Sequence, residues 1–255
     1  MNSLRRMLDV LTLIQPGRST IDIEHICQRL GYAPATAYRY VRELNQVGLL
    51  VRMPGGYALG PRVIELDQQI RENDPMLHHS RDLMAQLCTH TGLSVLLSAL
   101  YDNAMITTHE AYGSDGQQLK FGRGRRIPLF RSSTTRVVLA YLPPRRLRQL
   151  YEQHTSEPEI LQLLGDWKTF SRAMLQVRRQ GYCLSRGELE PGRCGLSAPI
   201  FDYQRRVLGS ISLVGSEQAF AAFDPGHMNH LVVSAAAEIT RRITQDIQPA
   251  AAPRN

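Results

Sequence analysis

Between Asp22 and Leu59 the chain carries a short helix, a three-residue break, a second helix and a tight hairpin, and this order constrains its fold more than any other feature. Asp22 suits an N-cap, because its carboxylate can accept a free backbone N–H of the first turn. Ile21 and Ile26 stand where a hydrophobic staple needs them. The helix predicted over about 23–30 puts Ile23, Ile26, Cys27 and Leu30 on one side, and Gly31 suits its left-handed end. Pro34, a favoured first helical residue, opens the next helix, predicted over about 34–47 and stopped by Gly48. Upstream, Leu4, Met7, Leu8, Leu11 and Ile14 recur at helical spacing until Pro16-Gly17 breaks the pattern.

At 100° per residue the 34–47 helix has two faces. Ala37, Tyr40, Val41, Leu44 and Val47 make an apolar one. Ala35, Tyr38, Arg39, Arg42 and Gln46 make a polar one, with Thr36 at its edge. Small residues at the start of this face allow close entry into a major groove, and Arg39 and Arg42 are suited to base edges or phosphate. An amphipathic helix with solvated arginines would look similar, so the helix alone does not decide. The segment after it is more specific. Leu49–Met53 and Tyr57–Leu59 read as two strands around Pro54-Gly55-Gly56, a wing that places Arg52 near phosphate. Residues 1–62 hold eight arginines against four acids, and the whole chain has a net charge of +7. That excess permits a polyanionic partner.

These residues resemble the IclR family of transcription regulators. The resemblance lies in Ala35-Thr36-Ala37-Tyr38-Arg39, near the family's Ser-Thr-x-x-Arg, in Leu44–Leu49 and in Tyr57-Ala58-Leu59-Gly60-Pro61-Arg62. Ala35 stands where the family usually has Ser. The resemblance implies a winged helix-turn-helix over 1–60 that binds DNA through Ala35, Thr36, Tyr38, Arg39, Arg42 and Arg52. A linker helix over 61–74 comes next, then an effector-binding domain over 75–247. The tail 248–255 is rich in Pro and Ala and reads as disordered.

From Met76 onward, paired strands enclose a helical block, the pattern of an α+β domain with an antiparallel sheet. Strands are predicted over 93–101, 104–112, 117–121, 181–185, 195–202 and 206–215, and helices over 76–91, 134–142, 144–153, 167–180 and 224–246. Ile127-Pro128-Leu129, Gly181-Tyr182, Ser197-Ala198-Pro199-Ile200 and Ser210-Ile211-Ser212-Leu213 extend the family resemblance across this half. It implies a GAF-like fold that binds small organic acids.

Ser132-Ser133-Thr134-Thr135 precedes an apolar helix, where free N–H groups and hydroxyls suit an anion and Arg136 would add donors. Plain helix capping is the other use of such a run. Carried over from the family by position, the effector ligands fall on Ser132, Ser133, Thr134, Ser185, Gly195, Ser212 and Val214. The family often has Gly-Ala-Gly-Lys where this chain has Ser133-Thr134-Thr135-Arg136, so the identity of the acid does not transfer.

No apolar run approaches the roughly 18 residues of a membrane span, and the N-terminus lacks a signal-peptide pattern, so a cytoplasmic location is expected. Cys27, Cys88, Cys183 and Cys194 form no CxxC pair. His78 and His79 are helical neighbours, badly placed to share a metal, and His109 and Glu110 alternate across a strand. No catalytic, metal or cofactor site is expected, because GxSxG, P-loop, GxGxxG and HExxH motifs are all missing. The expected partners are palindromic double-stranded operator DNA, a small organic acid and further copies of the chain, as a homodimer or a dimer of dimers. The alternatives are a second domain that only oligomerises, or an enzyme acting on a small acid.

Overall fold

The computed structural model describes residues 2–114, 119–155 and 164–247. The chain divides into two compact units, Met1–Asp74 and Pro75–Asn255. The tail 248–255 and residues 117–118 of the strand expected at 117–121 lie outside the described residues.

In the first unit, α1 (Ser3–Asp9) runs into a 3-10 turn (Val10–Leu13), and α2 (Ile23–Leu30), α3 (Pro34–Gln46), β1 (Leu50–Met53), β2 (Gly56–Leu59) and α4 (Pro61–Asn73) come after it. The caps are those expected. Asp22 Oδ1 accepts the His25 N–H at 2.7 Å, and Gly31 ends α2 at φ 67°. Ile21, Ile26, Ala37, Tyr40, Val41, Leu44 and Leu50 close one small core. Val47, expected on the apolar face, is instead 59% exposed. The helix ends one residue before it, at Gln46, and the chain leaves the helical path at Val47, whose ψ is 4°.

The wing is held at its base. Leu50 pairs with Leu59 and Arg52 with Tyr57, while Ile21 and Tyr57 exchange both backbone hydrogen bonds, at 2.8 and 2.9 Å. That bridge brings Ile21 against Gly56, whose φ is 148°. A Cβ there would lie 2.4 Å from the Ile21 carbonyl oxygen. Gly56→Ala is therefore expected to destabilise the first unit by about 1–3 kcal/mol. Urea unfolding followed by far-UV circular dichroism will show an earlier loss of signal, while the single tryptophan, Trp167 in the second unit, reports an unmoved transition.

The second unit is one six-stranded antiparallel sheet between two helical layers. Its elements are α5 (Pro75–Thr91), β3 (Ser94–Tyr101), β4 (Ala104–Ala111), β5 (Arg126–Ile127), α6 (Ser133–Leu139), α7 (Pro144–His154), α8 (Trp167–Gln180), β6 (Cys183–Arg186), β7 (Arg193–Phe201), β8 (Val207–Ser216), α9 (Glu217–Ala221) and α10 (Pro225–Ile247). The strand order is β5-β4-β3-β8-β7-β6. Residues 119–121 are not strand, and the edge is built by Arg126–Ile127 instead. Thr107 Oγ1 donates to the Phe121 carbonyl at 2.8 Å, which ties that segment to β4 by a side chain rather than by a ladder.

Period-two alternation gives the sheet two different faces. Val95, Leu97, Leu196, Ala198, Ile200, Ile211 and Leu213 pack with α5 and α10 into a large apolar core. On the opposite face Ser197, Ser210 and Ser212 are fully buried, and α6, α7 and α8 cover that side with a second core. A buried face of hydroxyls must satisfy its own hydrogen bonds or those of a guest.

Candidate functional site

In the first unit α3 and the wing make one concave surface lined by Ala35, Tyr38, Arg39, Arg42, Asn45, Arg52 and Tyr57. It collects five of the six residues expected to meet DNA. Thr36 lies beside it at the start of α3, half-buried. Asn45 and Tyr57 were not expected. Asn45 Nδ2 donates to the Leu50 carbonyl at 3.1 Å, fixing the angle between α3 and the wing. Tyr57 holds the wing to Ile21. Arg42 leans on Glu43 at 3.1 Å, with both side chains largely exposed. Arg52 has no acidic partner among the described residues, and Arg39 lies 5.3 Å from the Tyr40 ring. Two unneutralised guanidinium groups about one concavity suit a polyanion.

In the second unit a cavity of about 60 Å³ opens beneath the N-terminus of α6. Ser132, Ser133, Thr134, Ser185, Gly195 and Val214 all line it. Strand pairing explains the convergence, because Ser185, Gly195 and Val214 occupy one row across β6, β7 and β8. Ser212 stands in the next row opposite Ser197 and does not line the cavity. Instead it supports the wall: Ser212 Oγ lies 3.0 Å from Thr134 Oγ1 and 2.8 Å from Ser197 Oγ. Ser133 Oγ accepts from Ser197 at 2.9 Å and from Ser185 at 3.2 Å. Ser210 donates to the Thr134 carbonyl at 3.1 Å.

The four residues of the Ser-Ser-Thr-Thr run divide their work. Ser132 is the N-cap, its Oγ accepting the Thr135 N–H at 3.2 Å, so capping is real there. The backbone N–H groups of Ser133 and Thr134 find no acceptor among the described residues, although both residues are buried. Such donors favour a carboxylate or carbonyl oxygen in the cavity. Arg136, expected as a further donor, does not line the cavity. Its Nη2 pairs with Glu188 Oε1 at 2.6 Å.

The remaining walls were not legible as site residues. Leu96, Leu119, Phe121, Ile127 and Leu189 make them apolar, with Lys120 and Arg193 as cations and Glu188 and Glu190 as anions. Glu188–Glu190 belong to the loop between β6 and β7, and Lys120–Phe121 to the segment before β5, positions set by tertiary structure rather than by any local motif. Cys194 also touches the cavity. Burial pushes its thiol up, and burial likewise raises that of Cys183. The two lie in the separate cores on opposite faces of the sheet, which rules out a direct redox pair between them in this fold. His109 is buried, whereas Glu110 accepts the Arg123 N–H at 2.9 Å and the Tyr112 hydroxyl at 2.7 Å, so the pair does not act as acid and base on one group.

A winged helix with a cationic concavity, joined in one chain to a sheet domain with a hydroxyl-lined cavity, defines a DNA-binding regulator with an effector domain. The family model described as the IclR helix-turn-helix domain matches residues 3–54, and the one described as the bacterial transcriptional regulator IclR C-terminal domain matches residues 68–241. The chain belongs to the IclR family of transcriptional regulators. It is 26% identical to the HTH-type transcriptional regulator KipR of Bacillus subtilis, over 89% of this chain and 91% of that one. To BhcR of Paracoccus denitrificans it is likewise 26% identical, over 93% of this chain and 86% of the relative. Among solved structures, an IclR regulator from Alicyclobacillus acidocaldarius superposes with a TM-score of 0.78 at 24% identity, covering 95% of this chain and 97% of that one. An IclR homologue from Microbacterium hydrocarbonoxydans, solved with 4-hydroxybenzoate, gives 0.78 at 21%, covering 95% and 99%. The family and these relatives regulate transcription rather than catalyse reactions. No helix among the described residues is long and apolar enough to cross a membrane.

Proposed function

We propose that a small organic acid, bound in the cavity under α6, controls how tightly the first unit holds its operator. The observation that carries this reading is that the backbone N–H groups of Ser133 and Thr134 have no acceptor among the described residues, and that both residues line a partly open cavity whose other walls combine apolar side chains with the cations Lys120 and Arg193 and the anions Glu188 and Glu190. An acid would place its carboxylate on these N–H groups and the nearby hydroxyls, and its carbon skeleton against Leu96, Phe121 and Leu189. The volume has room for about five water-sized groups, which suits a compact acid. The 4-hydroxybenzoate held by the Microbacterium homologue is an acid as well.

DNA recognition is assigned to Ala35, Thr36, Tyr38, Arg39, Arg42 and Arg52. One recognition helix reads too few base pairs for useful specificity, so the working species is a dimer or a dimer of dimers on a palindromic operator. Support comes from α4, which has no buried residue and leaves Ile64 74% and Ile70 53% exposed. Burying such side chains is worth about 1.5–3 kcal/mol each. The linker helix would pass the state of the effector domain to the spacing of the recognition helices, a shift between two populated arrangements.

A thermal-shift panel of short 2-oxo and 2-hydroxy acids with 4-hydroxybenzoate tests this. At least one acid is expected to raise the second unit's melting temperature and to change operator affinity about fivefold or more. If no acid at millimolar concentration has either effect, a domain that only oligomerises is the better reading.

A further inference from the structure

Away from both sites, the first turns of α5 meet the last turn of α10. His79 Nε2 lies 2.8 Å from Asp246 Oδ2, and the rings of His78 and His79 stand edge to face with centroids 5.0 Å apart. One donor atom from each of His78, His79 and Asp246 falls within 4.8 Å of the other two. Adjacent helical residues diverge by about 100°, so the His-His pair alone reads as a poor chelator. The fold changes that by bringing a carboxylate from the far end of the chain to the two imidazoles.

The surroundings hold these donors in place. Arg242 Nη1 donates to the His79 carbonyl at 3.1 Å and to Asp82 Oδ1 at 2.7 Å, and its Nε donates to Glu238 Oε1 at 2.8 Å. Hydrogen bonds from Arg241 and Arg242 lower the Glu238 carboxyl to about 2. Asp82 and Glu238 are thus committed to guanidinium groups, whereas Asp246 pairs with no Lys or Arg among the described residues. The His79 side chain is 11% exposed and that of Asp246 66%, so the cluster is open to solvent on one side.

We propose that His78, His79 and Asp246 form a binding site for a divalent transition metal ion of the zinc or nickel class, with water completing its shell. Two imidazole nitrogens and one carboxylate oxygen suit these borderline ions and not calcium or magnesium, which take oxygen ligands. Bonds of about 2.1 Å around a tetrahedral ion separate the donors by about 3.4 Å, so binding requires the exposed His78 and Asp246 side chains to rotate from a spacing of up to 4.8 Å. The bound ion clamps the start of α5 to the end of α10. A plain ion pair would need only His79 and Asp246, whereas the metal site needs His78 too, and this separates the two.

The test uses the full chain without an affinity tag, stripped with EDTA and titrated calorimetrically with zinc and with nickel chloride. One equivalent per chain is expected to bind with micromolar affinity and to raise the melting temperature. Asp246→Asn and His78→Gln, both at exposed positions, should each weaken binding at least about tenfold with the circular dichroism spectrum unchanged. Lack of binding at 100 µM metal overturns the proposal. So does binding that persists in Asp246→Asn, which would place the ion elsewhere, or binding lost in Asp246→Asn but kept in His78→Gln, which would leave the carboxylate acting without the imidazole pair.

Discussion

Arg39→Ala will weaken operator binding by about 30-fold or more at physiological salt while the protein stays folded. Arg39 is in the middle of the polar face of α3, lines one concavity with the wing residue Arg52, and has its guanidinium over the Tyr40 ring. Its side chain is exposed and helps to close no core, so truncation costs little stability. Its cost to binding is of another order. A good arginine contact to a base edge is worth about 1–3 kcal/mol of discrimination. On the proposed palindrome read by a dimer the loss is counted twice, about 2–6 kcal/mol, or roughly 30- to 20,000-fold in affinity. Arg52→Ala is the informative contrast. A wing arginine on phosphate should weaken binding to every sequence alike. Its removal should also flatten the dependence of log affinity on log salt by about 0.9 for each phosphate it neutralises. Fluorescence anisotropy on operator and scrambled duplexes at several salt concentrations separates the two. Equal affinity of Arg39→Ala and the parent for the operator would move sequence reading away from α3.

The first unit was legible because its determinants are local. Asp22, Gly31, Pro34 and Gly48 each act within one turn of the backbone they shape, and the alternation of Ala37, Tyr40, Val41 and Leu44 with Ala35, Tyr38, Arg39 and Arg42 needs no tertiary knowledge. Val47 failed because a helix end is decided to within a residue by packing, and here the last turn stops short of it. The cavity proposed for the effector was legible in half. The helix start marked Ser133 and Thr134, the family resemblance placed Ser185 and Gly195 by position, and strand pairing brings the four to one cavity. Glu188, Leu189, Lys120 and Phe121 arrive from loops whose paths depend on the assembled sheet, and nothing in their local sequence says that they face inward. Ser197 was visible within a strand, but only pairing with Ser212 and Ser133 shows its place in the hydroxyl network. His78 and His79 mark the opposite limit, since adjacency argues against a shared ligand and only the packing of α10 on α5 shows that Asp246 stands beside them.

Gly195→Val will remove the response to the acid without unfolding the effector domain. Gly195 pairs with Ser185 on one side and Val214 on the other, in extended strand where a side chain costs the backbone nothing. A Cβ there would stand 2.9 Å from Ser133 Oγ and 3.2 Å from Ser185 Oγ, inside the cavity and against the hydroxyls expected to hold the carboxylate. Alanine forces these two hydroxyls back by a few tenths of an ångström, and valine adds two methyl groups to a space with room for about five water-sized groups. The expected loss of acid affinity is about tenfold for alanine and 100-fold or more for valine, the latter corresponding to about 3 kcal/mol. Ser133 Oγ keeps the Ser197 hydroxyl as a partner and Ser185 Oγ keeps the Gly195 carbonyl, so the wall is not left with unmet hydrogen bonds and the fold survives. Calorimetric titration with whichever acid shifts the parent protein, together with Trp167 fluorescence during urea unfolding, checks both halves. A valine variant that binds the acid as tightly as the parent would show that the ligand occupies some other part of the chain, because no compact acid can share this cavity with that side chain.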